Sequence, residues 1–166
     1  MVEIIKVSKE SVPAMRFIGK KYGNEDRVDG HFGDKWSEFI SNGWFDILDK
    51  LTASGIMTNA LALIGHENNS FKYWIGKFAP ANTSVPEGFD CIDFESGNFV
   101  AVRLKGPEWE IFGNEPMCCD YVKEQGMEVL DLQYNCFERY RNCDDNEDNT
   151  LLQEGDDMID ICFFVA

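Results

Sequence analysis

Along the chain, hydrophobic and polar positions alternate with a period of two in some stretches and recur every three or four residues in others. Ala14 to Tyr22 (AMRFIGKKY) is rich in strand formers, and after a polar loop the pattern changes at Asp34. Trp36, Ile40, Trp44, Ile47, Leu48 and Leu51 then fall at three- and four-residue steps. That spacing draws one apolar stripe along a single helix, with Asp34 as its N-cap and its end before Gly55. Two strand-like runs follow, Ala60 to Gly65 and Phe71 to Phe78, and the polar Glu67-Asn68-Asn69-Ser70 between them has the composition of a hairpin turn. Residues 80–88 have linker composition and sit near the middle of the chain. They separate two halves of one domain over residues 1–166, about 1–80 and 88–166.

The second half repeats the plan. Phe89 to Phe94 and Asn98 to Leu104 read as a tight strand pair joined by Glu95-Ser96-Gly97. Gly106-Pro107 opens a helix through Trp109 and Phe112, which Gly113 and Pro116 interrupt, so that a kinked or two-part helix is predicted. Gln133 to Arg141 and Met158 to Val165 read as the last strands, with the acidic loop Asp144 to Asp157 between them. Each half thus reads strand, strand, helix, strand, strand. Trp109 and Phe112 follow Trp36 and Phe39 at one common offset of 73 residues, the mark of a duplication. The prediction is an α+β fold of two repeated halves, each built around one main helix.

Composition narrows the function. At 166 residues, 44% hydrophobic and 13% aromatic, the chain suffices for one buried core. Its 15 Lys and Arg stand against 30 Asp and Glu, a net charge of −15 that repels a phosphate backbone and draws in cations. Direct nucleic-acid binding is disfavoured. The opening MVEIIKVSKESV has neither the apolar core nor the cleavage site of a signal peptide, and no apolar run approaches a membrane span, so a cytoplasmic address is expected. Six scattered cysteines lack a CxxC and point to neither zinc nor a disulfide framework. His31 and His66 have no metal-ligand spacing, and Gly19, Gly23 and Gly30 no phosphate-loop spacing, so no metal or cofactor is expected. Asp144 to Asn149 lacks the central glycine and final glutamate of a calcium loop and reads as a solvated loop.

The candidate chemistry lies in Gln133 to Arg141, where the strand period places Tyr134, Cys136, Glu138 and Tyr140 on one face. Two readings of Glu138 stand side by side. Buried among aromatics, its carboxylate is costly unless a cation or hydrogen-bond donors meet it. Exposed, it forms an ordinary ion pair with Arg103, Arg139 or a lysine, worth about 0–1 kcal/mol. Trp36, Trp44, Tyr73, Trp74 and Trp109 offer ring faces, over each of which a cation gains about 0.5–2 kcal/mol. The same residues at helical or strand spacing also suit plain core packing.

Taken in order, Phe71-Lys72-Tyr73-Trp74-Ile75-Gly76, Phe99 to Pro107, Phe137-Glu138-Arg139-Tyr140 and the ending Ile159 to Val165 resemble the GyrI-like, or AraC effector-binding, family over nearly the whole chain. The resemblance implies pseudo-symmetric, SHS2-like strand-helix-strand-strand repeats with two curved antiparallel sheets, two main helices and a central cleft. Members include ligand-sensing domains of multidrug-responsive regulators, integron-encoded binders of cationic drugs, gyrase-inhibiting proteins and hydrolases of cyclopropane-bearing toxins. The family's ligand-facing glutamate carries over onto Glu138, and its aromatic walls onto Trp36, Tyr73, Trp109 and Tyr140. The resemblance thus implies a non-enzymatic, stand-alone binder of a lipophilic cationic or aromatic small molecule, monomeric or homodimeric, with no helix-turn-helix attached. The alternative is a hydrolase with Glu138 as general base and Tyr140 or Tyr73 assisting. A further alternative is a modulator of a topoisomerase or regulator partner.

Overall fold

The structure, a computed structural model, describes residues 2–51, 57–140 and 156–166. The expected helix end near Gly55, Arg141 and the acidic run Asp144 to Asn149 lie outside them. Eight strands and four short α-helices are described, and the chain divides into two compact units, Val12–Ser96 and Met1–Ser11 with Gly97–Ala166.

In the unit Val12–Ser96, β2 (Met15–Gly23) leads through a turn of 3-10 helix to α1 (Gly33–Ser41) and α2 (Trp44–Asp49). β3 (Leu61–Glu67), β4 (Ser70–Pro80) and β5 (Asp90–Phe94) complete it, in the order β3-β4-β2-β5 with every pairing antiparallel. The β3–β4 hairpin turns on Asn68 and Asn69, both with positive φ (50° and 63°), the conformation that a two-residue turn between right-twisted strands requires. Phe17, Phe39, Leu61, Leu63, Ile75 and Phe78 are fully buried.

The predicted single helix is two helices. Gly43 adopts a left-handed conformation (φ 69°) and ends the first run, so the apolar phase restarts at Trp44. Ile40 and Ile47, counted on the continuous stripe, are consequently exposed. The N-cap is Phe32, and Asp34 instead lies in the first turn, where its charge suits the helix dipole.

The other unit contains β1 (Glu3–Val12), β6 (Gly97–Pro107), α3 (Glu108–Ile111), α4 (Glu115–Glu124), β7 (Cys136–Tyr140) and β8 (Asp156–Val165). The second helix is in two parts, as predicted, with Gly113 (φ 98°) at the break. The strands run in the order β1-β6-β8-β7, which matches β5-β2-β4-β3 read from its own edge. The duplication is therefore visible in topology.

One expected contact does not form. Phe89 to Phe94 and Asn98 to Leu104 are not a hairpin: β5 pairs with β2, and β6 lies between β1 and β8. The β2–β5 register sets Phe17 against Ile92 and Arg16 against Asp93, whose ion pair closes at 2.7 Å. A sequence-local turn carries no information about such distant partners.

β8 organises its unit. Its residues Ile159, Ile161 and Phe163 align with Leu104, Val102 and Val100 of β6, and Ile111, Cys118 and Val122 of the two helices close over them as one apolar cluster. Asp160 aligns with Arg103 on one side and Arg139 on the other. No helix among the described residues is long and apolar enough to cross a membrane.

Candidate functional site

The register of β7 decides what Glu138 meets. Cys136, Glu138 and Tyr140 align with Phe163, Ile161 and Ile159, the apolar set under α3 and α4, while Arg139 aligns with Asp160. Period-two alternation therefore points Glu138 and Arg139 to opposite faces. Arg139 joins Asp160 at 2.9 Å and Glu10 at 2.8 Å, and Arg103 joins Asp160 at 2.9 Å, so both guanidiniums serve a buried carboxylate that is not Glu138. The reading of Glu138 as an exposed partner of Arg103 or Arg139 is set aside, because its side chain is 2% exposed and on the other face.

Among the described residues, the groups that act on the Glu138 carboxyl are acidic or neutral. The Tyr140 hydroxyl donates to its Oε2 at 3.1 Å. Glu115, in the first turn of α4, accepts from the Gly113 N–H at 3.0 Å, and both it and Glu108, which opens α3, lie within electrostatic range of Glu138. Burial, then the Glu115 contact and charge, drive the Glu138 carboxyl well above the usual carboxylate range, and the Tyr140 hydrogen bond opposes them without prevailing. Burial and the Glu138 charge likewise push up the Cys136 thiol, and burial raises Cys118 to about 12.

Asp160 shows the contrary outcome for a buried carboxylate. Burial alone would raise it, but the Arg103 hydrogen bond and the two guanidinium charges outweigh burial and hold it below the ordinary value. Two carboxylates buried on opposite faces of one sheet thus have opposite proton affinities, decided by their partners.

The expected aromatic residues fall in both units. Tyr140 is half-buried beside Glu138, and its ring lies 6.5 Å from Phe112. Trp109 on α3 is 76% exposed and offers its indole to solvent rather than to the core, with Phe112 also exposed at 36%. In the other unit, Trp36 Nε1 donates to the Tyr73 hydroxyl at 2.9 Å, and the Tyr73 ring stacks on Phe32 at 4.1 Å and 6°. Trp44 meets Phe39 and Phe89 edge-on, and Trp74 is buried against Phe17. Several faces of this group are already taken by the chain's own cations. Lys20 sits 4.3 Å from the Trp44 centroid and 4.6 Å from Phe89, and Arg27 lies over Phe32 and Phe71 at 4.9 and 4.8 Å. The structure thus brings Glu138 together with Tyr140, and Trp36 together with Tyr73.

Glu115, Glu108 and the Arg103–Asp160–Arg139 bridge were not singled out in the sequence. The signal for Glu115 was weak: an acid beside Pro116 at a helix start reads simply as a favourable dipole interaction. A sharper signal existed for the bridge, since Arg103 and Asp160 each interrupt an apolar strand run.

The profile of a protein family described as integron-associated effector binding proteins matches residues 3–153. No curated protein matches the chain. Among solved structures, SAV2435 bound to tetraphenylphosphonium superposes with a TM-score of 0.69 at 14% identity, covering 98% of this chain and 94% of that one. The C-terminal domain of EcmrR gives a TM-score of 0.59 at 15% identity, covering 97% of each chain. A hydrolase from Listeria innocua gives 0.56 at 10% identity, covering 97% of this chain and 92% of that one. At such identities the likeness is one of fold, and it agrees with the α+β architecture read from the strand pattern.

Proposed function

The chain belongs to the integron-associated effector binding protein family, and we propose that it binds a lipophilic cationic small molecule whose charge is met by Glu138. The observation that carries this reading is a 2%-exposed carboxyl surrounded by Tyr140, Glu115 and Glu108, while Arg103 and Arg139 serve Asp160. A buried acidic group without a counter-charge lowers stability, and a cation removes that cost on binding. Tyr140 orients the carboxyl, and exposed Trp109 supplies a ring face for the ligand's apolar body. The net charge of −15 concentrates cations around the molecule. A protein of the same fold has been solved with tetraphenylphosphonium, a lipophilic monocation.

The test is a fluorescence titration with a rhodamine or another fluorescent lipophilic cation, against the parent chain and Glu138→Gln. Saturable binding by the parent, weakened about tenfold or more in the variant, is expected, since one interaction of about 1.4 kcal/mol changes affinity tenfold. Equal affinities would remove Glu138 from the site, and an unsaturable parent would end the proposal. Weakened binding in Trp109→Ala would assign that ring to the ligand.

The hydrolase reading draws on the same Glu138–Tyr140 contact. Burial raises the Glu138 carboxyl, as it does in general bases and in cation sites alike, and the preference for binding rests on the net charge and the ring face of Trp109. Hydrolysis of a cyclopropane-bearing electrophile by the parent and not by Glu138→Gln would reverse that preference.

A further inference from the structure

We infer that Trp44, Phe89 and the Gly88 carbonyl form an alkylammonium-binding site of their own, which the chain fills with Lys20 and so closes to free cations. The site lies in the unit Val12–Ser96, whereas Glu138 belongs to the other, and it owes nothing to the role given to that carboxylate above.

Lys20 Nζ donates to the Gly88 carbonyl and lies 4.3 Å from the Trp44 centroid and 4.6 Å from that of Phe89. The two rings stand at 79° to each other with their centroids 6.4 Å apart, so the ammonium occupies the corner between two ring faces. Attraction to a ring quadrupole reaches to about 6 Å and is strongest in direct contact. Lys21, Lys35 and Lys77 also approach rings, but at 5.7 to 5.8 Å. Each of those three is committed to a carboxylate, of Glu67, Glu38 and Asp49 respectively. Of these four lysines, Lys20 is the one that two ring faces and a carbonyl oxygen hold in place of an acid, among the described residues.

The corner is built independently of its occupant. Fully buried Phe39 meets Trp44 at 5.2 Å and 85° and Phe89 at 6.3 Å and 69°, so it braces both rings. The turn that presents the Gly88 carbonyl is closed by the Phe89 N–H, which donates to Pro86 at 3.1 Å, and Gly88 holds the positive φ of 87° that a side chain would resist. Lys20 reaches the corner from β2, where it aligns with Ile75 of β4. A group tethered beside its site has an effective concentration on the order of millimolar, so a weakly bound free ammonium does not displace it. Lys20→Ala deletes the equivalent of one n-propylammonium ion. A cavity left in well-packed surroundings collapses incompletely and admits a molecule of matching shape.

The experiment follows the Trp44 indole N–H and the backbone amides of Gly88 and Phe89 by NMR as n-propylammonium chloride is added to the full chain. Loss of one indole signal in Trp44→Phe identifies the first reporter. Sodium chloride at equal concentration controls for ionic strength, and 1-propanol for shape without charge. Saturable shifts in Lys20→Ala are expected, with an affinity about tenfold or more above that of the parent and of Lys20→Met, whose uncharged side chain fills the corner. Uptake at Glu138 would be common to all three proteins and does not produce that difference. No saturable shift in folded Lys20→Ala overturns the site, and equal affinity in the parent overturns its occupation by Lys20. A response to 1-propanol as large as that to n-propylammonium shows that charge is not read, and overturns the site as well. The parent alone gives a reading that needs no variant to fold. The ε-methylene protons of Lys20, lying over two ring faces, should resonate upfield of those of Lys35 and Lys77. Shifts coincident with theirs would place Lys20 outside the corner and defeat the assignment.

Discussion

Glu138 and Asp160 lie on opposite faces of one sheet, in the neighbouring strands β7 and β8, and differ in what meets them. Their effects on stability carry opposite signs. Glu138 has its folded pKa raised, so the folded chain holds a proton that the unfolded chain surrenders above about pH 4.5. Stability contributed by the neutral form is present below that value and declines as pH rises toward the folded one. Urea denaturation at pH 8 should therefore find ligand-free Glu138→Gln more stable than the parent, by about 1 kcal/mol or more. Asp160 has its folded pKa lowered, so its contribution is present above about pH 3.8 and is lost as pH falls through the folded value. Asp160→Asn leaves Arg103 and Arg139 buried without their shared anion, and a loss of about 3–5 kcal/mol is expected in the same assay at pH 7. A stabilised Asp160→Asn would show that the network is replaceable.

Among the elements, short-range features were legible and partner choice was not. The turn at Asn68 and Asn69 and the interruption at Gly113 lie where local composition placed them. The break at Gly43 was missed because the apolar stripe is unaffected when Trp44 restarts it, and a periodicity count cannot see one left-handed residue. Gly19 and Gly76 align across β2 and β4, and a Cβ built on either would run into a carbonyl oxygen of the facing strand, Ile75 or Ile18. Gly76→Ala should force these strands apart and cost about 1–3 kcal/mol, read as a lowered denaturation midpoint. An unchanged midpoint would mean that the pair yields without cost. The sequence does not show why these strands carry glycines there, because close approach of two backbones is visible only once the strands are paired.

Across the whole molecule, the excess of 15 acidic charges works at longer range than any one contact. Its field speeds the encounter with a cation and is screened within about 10 Å at 0.1 M salt, whereas the buried Glu138 contact is screened much less. Stopped-flow association of a fluorescent lipophilic cation should therefore slow as salt is raised from about 0.02 to 0.2 M, with a much smaller change in the dissociation rate. Equal sensitivity of the two rates would place the deciding charges at the surface instead of in the core.

Amino-acid order alone settled whatever depends on neighbouring residues. The period of two put Glu138 on the side of Tyr140 and away from Arg139, the repeated element order disclosed the duplication, and the motifs around them carried the family resemblance. These come from backbone geometry, which acts over a few residues. The tertiary structure decided the rest: β5 lies on β2 and not on β6, the guanidiniums belong to Asp160, and α4 carries Glu115 to Glu138. Such pairings are chosen by burial and by the competition of distant groups for one another. Whether Glu138 takes an arginine was therefore open in the sequence, and was answered by its position under α3 and α4, on the face away from Arg103 and Arg139.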